Sequence, residues 1–225
     1  MLSVVIPTLN AAQTLAETLD SLALQLVGVD YEVIVADGAS ADDSLAIAKA
    51  KGAKYMAAAR GRGAQLAAGA GAARGDWLLF LHADTVLGEG WRTEAAAFMM
   101  ASENARRAGV FRLSLDDGAP AARRLETMAA WRARIFGLPY GDQGLLIGRG
   151  FYDSLGGFRP LPLMEDVDIA RRIGRRRFVH FAARAHTSAK RYRGSGYMRR
   201  SARNLACLTL FLLGVKPRFL VRLYG

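Results

Sequence analysis

A single cysteine, Cys207, stands among 225 residues, with only six prolines. One thiol cannot build an intrachain disulfide framework, so the fold must rest on apolar burial and hydrogen bonding, and the composition fits a reducing compartment. Long apolar runs are also missing. The longest, Leu205–Val215, is interrupted by Cys207 and Thr209 and covers about half of the roughly 20 residues that a bilayer-spanning helix needs. No basic segment precedes the first apolar run, Leu2–Pro7, which is too short for the core of a signal peptide, so a cytoplasmic protein is expected. Acidic residues vanish from the last quarter: residues 169–225 carry 15 Lys and Arg and no Asp or Glu, against 16 Lys and Arg and 20 acids in residues 1–168. A tail so one-sided suits an anionic contact, either phosphates, acidic lipid heads or nucleic acid, or else forms a solvated basic face. What is present in quantity is apolar: 52% of residues, which excludes a disordered chain, on a length that fits one well-buried domain.

The first half alternates buried strands with helices. Leu2–Pro7 reads as a continuous apolar strand stopped by proline. Asn10 is placed to cap a helix over residues 11–26, whose Leu15, Leu19, Leu22 and Leu26 share a face. Tyr31–Ala36 is a second strand, ending at Asp37-Gly38. A helix capped by Ser40 or Asp42 runs through Ala50. Tyr55–Ala58 is a third strand and Trp77–Leu81 a fourth, ending at His82-Ala83-Asp84. This order implies right-handed βαβ units and a parallel sheet, with ligands beyond the carboxyl ends of the strands. Asp37 and Asp84 should both point into that crevice, side by side from neighbouring parallel strands.

From about residue 108 the rhythm changes. Gly109–Leu115 alternates as a half-exposed strand. Arg123–Phe136 reads as a helix with Leu125, Met128, Ala129 and Ile135 inward, Gly141–Gly144 as a polar turn, Asp166–Gly174 as a helix, and Phe178–Phe181 as a further strand. The expected organisation is one domain over 1–225. Residues 1–107 form a nucleotide-binding half, 108–190 an acceptor and catalytic half, and 191–225 a basic amphipathic helical tail. With Leu205, Leu208, Leu212 and Leu213 on one helical face, that tail suits either packing on the core or lying on an anionic membrane surface.

Five groups of residues carry chemistry. Asp37, after the second strand, is a turn aspartate or an acceptor for a nucleobase N–H or ribose hydroxyl. Asp84, after the strongest strand, offers hard oxygen ligation for Mg²⁺ or Mn²⁺, or caps a helix. His82, taken alone, is a packed histidine. Arg60-Gly61-Arg62-Gly63 is a flexible basic loop suited to phosphate. It is not a Walker loop, since no Gly-Lys-Ser/Thr follows, and Gly69-Ala70-Gly71 is not a dinucleotide fingerprint. Finally, Glu165-Asp166-Val167-Asp168 opens a helix behind an apolar loop. Asp168 there is an ordinary partner of the helix dipole, while a partly desolvated carboxylate can act as a general base.

The runs Val4-Val5-Ile6-Pro7-Thr8-Leu9-Asn10, Ala36-Asp37-Gly38-Ala39-Ser40, Phe80-Leu81-His82-Ala83-Asp84 and Met164-Glu165-Asp166-Val167-Asp168 occur in order and spacing that resemble family 2 glycosyltransferases over about residues 2–175. Gly141-Asp142-Gln143-Gly144 with Gly156-Gly157-Phe158 looks like a small bacterial subgroup of selenodomain-associated transferases. The resemblance implies a GT-A fold, α/β with a mostly parallel central sheet and helices on both faces. It also implies a nucleoside-diphosphate sugar donor, UDP- or GDP-linked, and inverting transfer to an acceptor hydroxyl. It places Pro7, Thr8 and Asp37 on the base and ribose, with Asn10, Arg60, Arg62 and His82 in the same nucleotide-binding set. Asp84 becomes the metal ligand for Mg²⁺ or Mn²⁺, Asp166 the catalytic base with Glu165 beside it, and Gly141, Asp142 and Gln143 the residues facing the donor sugar or acceptor. One departure stands out: the family's Asp-x-Asp begins here with His82, so one carboxylate is missing. His186 is a candidate extra ligand.

Two other readings fit less well. A nucleotidyltransferase needs a Gly-rich loop with lysine after the first strand, where Pro7-Thr8-Leu9-Asn10 stands. A nucleic-acid-binding module would use the basic tail, but that tail shows no helix-turn-helix or aromatic stacking platform.

Overall fold

The computed structural model describes residues 1–224; Gly225, the end of the basic tail, lies outside the described residues. The strands are β1 (Leu2–Thr8), β2 (Tyr31–Asp37), β3 (Lys54–Ala57), β4 (Trp77–Phe80), β5 (Thr85–Leu87), β6 (Ala108–Leu115), β7 (Leu145–Gly148) and β8 (Phe178–Thr187). They form one sheet in the order β3-β2-β1-β4-β7-β6-β8-β5. The first four are parallel, as the alternation of strand and helix requires. β7 then runs antiparallel to both β4 and β6, so the sheet continues across both halves of the chain.

β1 is the spine of the sheet. Val4, Val5 and Ile6 are fully buried, the pattern of a strand covered on both faces. On one side lies α1 (Ala12–Gln25), where Leu15, Leu19 and Leu22 are buried, with Leu26 just beyond its end, as their spacing predicts. On the other lies α3 (Arg62–Ala72), whose Leu66 and Ala70 pack against Val5. The remaining helices are α2 (Ser44–Ala50), α4 (Trp91–Met100), α5 (Pro120–Phe136), α6 (Arg149–Ser154), α7 (Glu165–Ile173), α8 (Lys190–Ser195), α9 (Tyr197–Leu212) and α10 (Pro217–Tyr224). Among the described residues no helix is long and apolar enough to cross a membrane.

Several expectations are corrected. β2 and β4 are not neighbours, because β1 lies between them, so Asp37 and Asp84 do not leave adjacent strands. Met128 and Ile135 do not face inward: α5 turns Ala122, Ala129 and Ala133 to the core, a small-residue stripe that lets it lie close to β6, with Leu125 half-buried against the same cluster and Met128, Trp131, Ile135 and Phe136 exposed. β8 extends to Thr187 because Phe181, Ala183, Ala185 and Thr187 alternate inward beyond the recognised segment. β5, β7, α4 and α6 were not anticipated. Ala11, not Asn10, occupies the cap position of α1, and Asp43 precedes α2. The Asn10 carboxamide instead accepts from the Ala41 amide at 2.9 Å, and Asp42 accepts from Ala12 and Ser44, tying the two loops together. In the tail only Leu208 of the four leucines is buried.

Candidate functional site

A crevice of 660 Å³ opens beyond the carboxyl ends of β1 and β4, within the usual range of roughly 300–1,000 Å³ for small-molecule sites. Pro7, Thr8 and Asn10 line it from the end of β1; Arg60 and Arg62 come from the start of α3. His82 and Asp84 follow β4 on the opposite wall. A smaller cavity of 100 Å³ adjoins it. Arg62, His82 and Asp84 line both, and Asp166, Gly141 and Asp142 complete the second. The structure therefore brings together most of the residues singled out from the sequence.

Asp37 is different. Its side chain is 1% exposed and is on neither wall. Oδ1 accepts from the Thr8 hydroxyl at 3.0 Å and the Ser40 hydroxyl at 2.5 Å, and Oδ2 accepts from the Ser40 amide at 2.8 Å and the Tyr55 hydroxyl at 3.3 Å. A carboxylate has about four acceptor sites, and the protein fills them. Burial, the largest single influence, pulls the group toward its neutral form, but the Ser40, Thr8 and Tyr55 donors outweigh it and hold its pKa below the ordinary value. Asp37 thus orients Thr8 and the Asp37–Ser40 turn rather than reaching into the crevice. Gln65, unrecognised in the sequence, does related work. Buried in α3, its amide donates to the carbonyls of Thr8 and Ala36 and locks the ends of β1 and β2.

The two glycines of the 60–63 segment serve different needs: Gly61 takes a positive φ of 126° before α3, and Gly63 serves packing. A Cβ on Gly63 would sit 2.3 Å from the Arg159 carbonyl, so only glycine lets the 159–162 loop lie against α3. That contact aims Arg62 across the site. Its Nε is 2.7 Å from Oε1 of Glu165, and its Nη1 is 3.2 Å from Nε2 of His82. Arg62 is thereby committed to two protein partners. Arg60 stays exposed on the crevice wall.

Asp166 begins α7 with Oδ2 accepting from the Gly141 amide at 3.0 Å and Oδ1 from the Val167 amide at 2.8 Å. Gly141 also packs on His82, whose Nε2 would be 2.6 Å from a Cβ there. Asp142 has a buried Oδ1 with no hydrogen-bond partner, and burial pushes its pKa up to about 6, opposed by Arg132 and reinforced by Asp166. Gln143 is turned away: its amide donates to the Phe111 carbonyl at 3.0 Å, inside the core, so it faces neither cavity. His186 also departs from expectation, pointing at Gly88 on the far side of β8, away from both cavities. Arg200 and Asn204 reach the smaller cavity from α9, and Lys190 and Val221 border the crevice. Lys190 and Arg200 belong to the basic tail expected to meet an anion, whereas no motif or periodicity marks Asn204 and Val221, which only the path of the tail brings there.

Backbone strain gathers at this site. Among the described residues three non-glycine residues have positive φ: Asn10 (52°) after β1, Ala39 (65°) after β2, and Met164 (65°) immediately before Glu165. Such conformations persist only where surrounding structure enforces them.

Glu165 is 1% exposed, and burial raises its pKa to about 7, with Arg62 opposing and Asp166 adding to the rise. The folded state therefore binds a proton more tightly than the unfolded chain. This stability is complete below the ordinary pKa of 4.5 and is lost as pH climbs through 7. Glu165→Gln should remove that loss. In thermal melts, the wild-type protein is expected to fall relative to the variant between pH 5 and pH 8; parallel curves would refute the assignment.

Comparisons with known proteins identify the family and the fold. The family described as Glycosyl transferase family 2 matches residues 3–159. A PGL/p-HBAD biosynthesis glycosyltransferase, found in Mycobacterium bovis and Mycobacterium tuberculosis, is 38% identical over 96 residues, 40% of this chain and 37% of the relative. The chain thus matches little more than a third of the length of these relatives. S. aureus TarS 1-349, solved with UDP-GlcNAc, superposes with a TM-score of 0.62 at 18% identity, over 83% of this chain and 58% of that one. Glucosyl-3-phosphoglycerate synthase from Mycobacterium tuberculosis, solved with Mn²⁺, UDP and glucosyl-3-phosphoglycerate, gives 0.58 at 22% identity, over 84% and 70%.

Proposed function

This chain belongs to glycosyl transferase family 2 and has the GT-A fold, and from that premise we propose that it moves a sugar from a nucleoside diphosphate to an acceptor hydroxyl with inversion at the anomeric carbon. The observation that carries this reading is that Asp84 and Asp166 face one cavity, which opens beside a crevice of nucleotide size. Pro7 and Thr8 supply the wall for base and ribose, and Arg60, exposed on the crevice wall, is the cation we assign to the diphosphate. Gly141 and Asp142 border the donor sugar. Asp166, held by the Gly141 and Val167 amides, takes the acceptor proton as the acceptor oxygen bonds to the anomeric carbon. The bond from that carbon to the diphosphate breaks, and the nucleoside diphosphate leaves with its electron pair.

Asp84 fits a divalent cation in one particular way. Mg²⁺ is commonly held by one or two carboxylates together with substrate phosphates and water. Asp84 offers that carboxylate on the crevice wall, and His82, bonded to Arg62, does not replace the family's first aspartate. Mg²⁺ or Mn²⁺ there would neutralise charge developing on the departing diphosphate. Of the UDP- and GDP-sugars that the family resemblance implies, we favour a UDP-sugar, because the neighbouring structures hold UDP or UDP-GlcNAc.

The direct test is thermal shift with UDP and GDP, with and without Mn²⁺, followed by donor turnover. We expect one nucleotide to raise the melting temperature in a Mn²⁺-dependent manner. No shift with either nucleotide, or pyrophosphate release from a nucleoside triphosphate, would overturn the reading. Asp84→Asn should weaken Mn²⁺-dependent nucleotide binding by about tenfold or more and leave metal-free binding unchanged; equal affinities with and without Mn²⁺ in both proteins would remove Asp84 from the metal.

A further inference from the structure

The outer side of the C-terminal helices is apolar. α9 turns Cys207 and Leu208 to the core, yet on its solvent side Met198, Leu205 and Leu212 recur every seven residues at 87%, 62% and 46% exposure, with Leu213 beside them at 77%. Successive sevens fall on one stripe of a helix. α10, packed on α9 through buried Leu220, repeats the pattern with Phe219 and Leu223 exposed four residues apart. α5, which also contacts α9, exposes Trp131 and Phe136. A soluble surface does not ordinarily gather so many large apolar side chains in one region.

The charges around these stripes indicate what covers them. Arg199, exposed, flanks the apolar stripe on α9, and the exposed Arg218 and Arg222 sit one residue before Phe219 and Leu223. The chain from residue 169 onward holds no acid at all. Helices with an apolar face, adjacent cations and no anions are the form that lies in the headgroup layer of an anionic bilayer. A second copy of this chain would bring the same cations against themselves.

We propose that the exposed face of α9 and α10 docks this protein on an anionic lipid bilayer. Val221 of α10 borders the crevice and lies on the opposite side of that helix from Phe219 and Leu223, so the docked face and the crevice are on different sides of α10 and the docking stands apart from the transferase reading.

The test is flotation of the full chain with phosphatidylglycerol vesicles and with phosphatidylcholine vesicles, at low and high salt. Wild-type protein should float with the former, weakly with the latter, and lose binding in salt. Leu205→Glu with Leu212→Glu changes two exposed side chains, so the melting temperature and the Mn²⁺-dependent nucleotide shift should stay near wild type. Vesicle affinity should fall by about tenfold or more. Failure of the wild type to float, or undiminished flotation of the double variant, overturns the proposal. So does a wild-type dimer in light scattering that the double variant converts to monomer, since the face would then cover a second copy. Because the nucleotide shift is read without vesicles, loss of flotation and loss of the transferase reading are separable.

Discussion

Asp166→Asn is expected to lower turnover by about 10²- to 10⁴-fold, the range that general-base catalysis supplies, while nucleotide affinity measured by calorimetry stays near wild type. The asparagine carbonyl can still accept from the Gly141 and Val167 amides that hold the side chain, so the local fold survives and only the proton acceptor is lost. A parallel variant, Glu165→Gln, keeps a neighbouring carboxamide but touches a residue whose partner is Arg62. The larger loss should fall on Asp166→Asn. If the asparagine variant turns over at the wild-type rate, Asp166 is not the base. If its nucleotide affinity collapses with its rate, the residue is a donor ligand instead.

The second large effect concerns stability. Asp37→Ala strands the Thr8, Ser40 and Tyr55 hydroxyls and the Ser40 amide, four donors around a site with 1% exposure. An orphaned buried donor costs about 1–3 kcal/mol, and partial relaxation around Ser40 leaves a total of about 3–5 kcal/mol. Urea melts should show that loss at neutral pH. Because donors hold the Asp37 pKa below 3.8, its contribution is present above that pH and disappears as pH falls through the folded value. Wild type and variant should therefore converge in acid. A loss under 1 kcal/mol would mean that the four-donor network is not formed. The crevice wall would then lack the support ascribed to Asp37.

How much of this was legible beforehand depends on how local the signal is. β1, β2 and β4 are continuous apolar runs with clear stops, so their order and the crevice at their ends follow from period and turn chemistry. The short β5 and β7 carry no comparable signal. β7, LLIG, acquires its meaning only by inserting antiparallel between β4 and β6. At the site, Asp84, Asp166, Arg60 and Arg62 were findable because each follows a strand or opens a helix. The position of Asp37 is legible but its saturation is not, since its four donors come from three residues, Thr8, Ser40 and Tyr55, in separate parts of the chain. Gln143 was misplaced for a similar reason: a Gly-flanked polar turn hides that its amide pairs with a carbonyl of β6. The α5 orientation failed because leucine and methionine spacing suggested a buried stripe where alanines in fact satisfy the tighter packing. Arg200 is marked only as one cation of a basic tail and Asn204 has no local mark, as only the return of α9 brings them to the cavity.

The bond between Arg62 and Glu165 joins the amino-terminal portion of the chain to the carboxyl-terminal one, with His82 at its flank. Rotating those portions apart would leave a carboxylate alone in an apolar enclosure, a cost of several kcal/mol per ion. The pair thus acts as a latch that resists opening between those portions, beside a crevice whose lining includes Pro162, Lys190 and Val221.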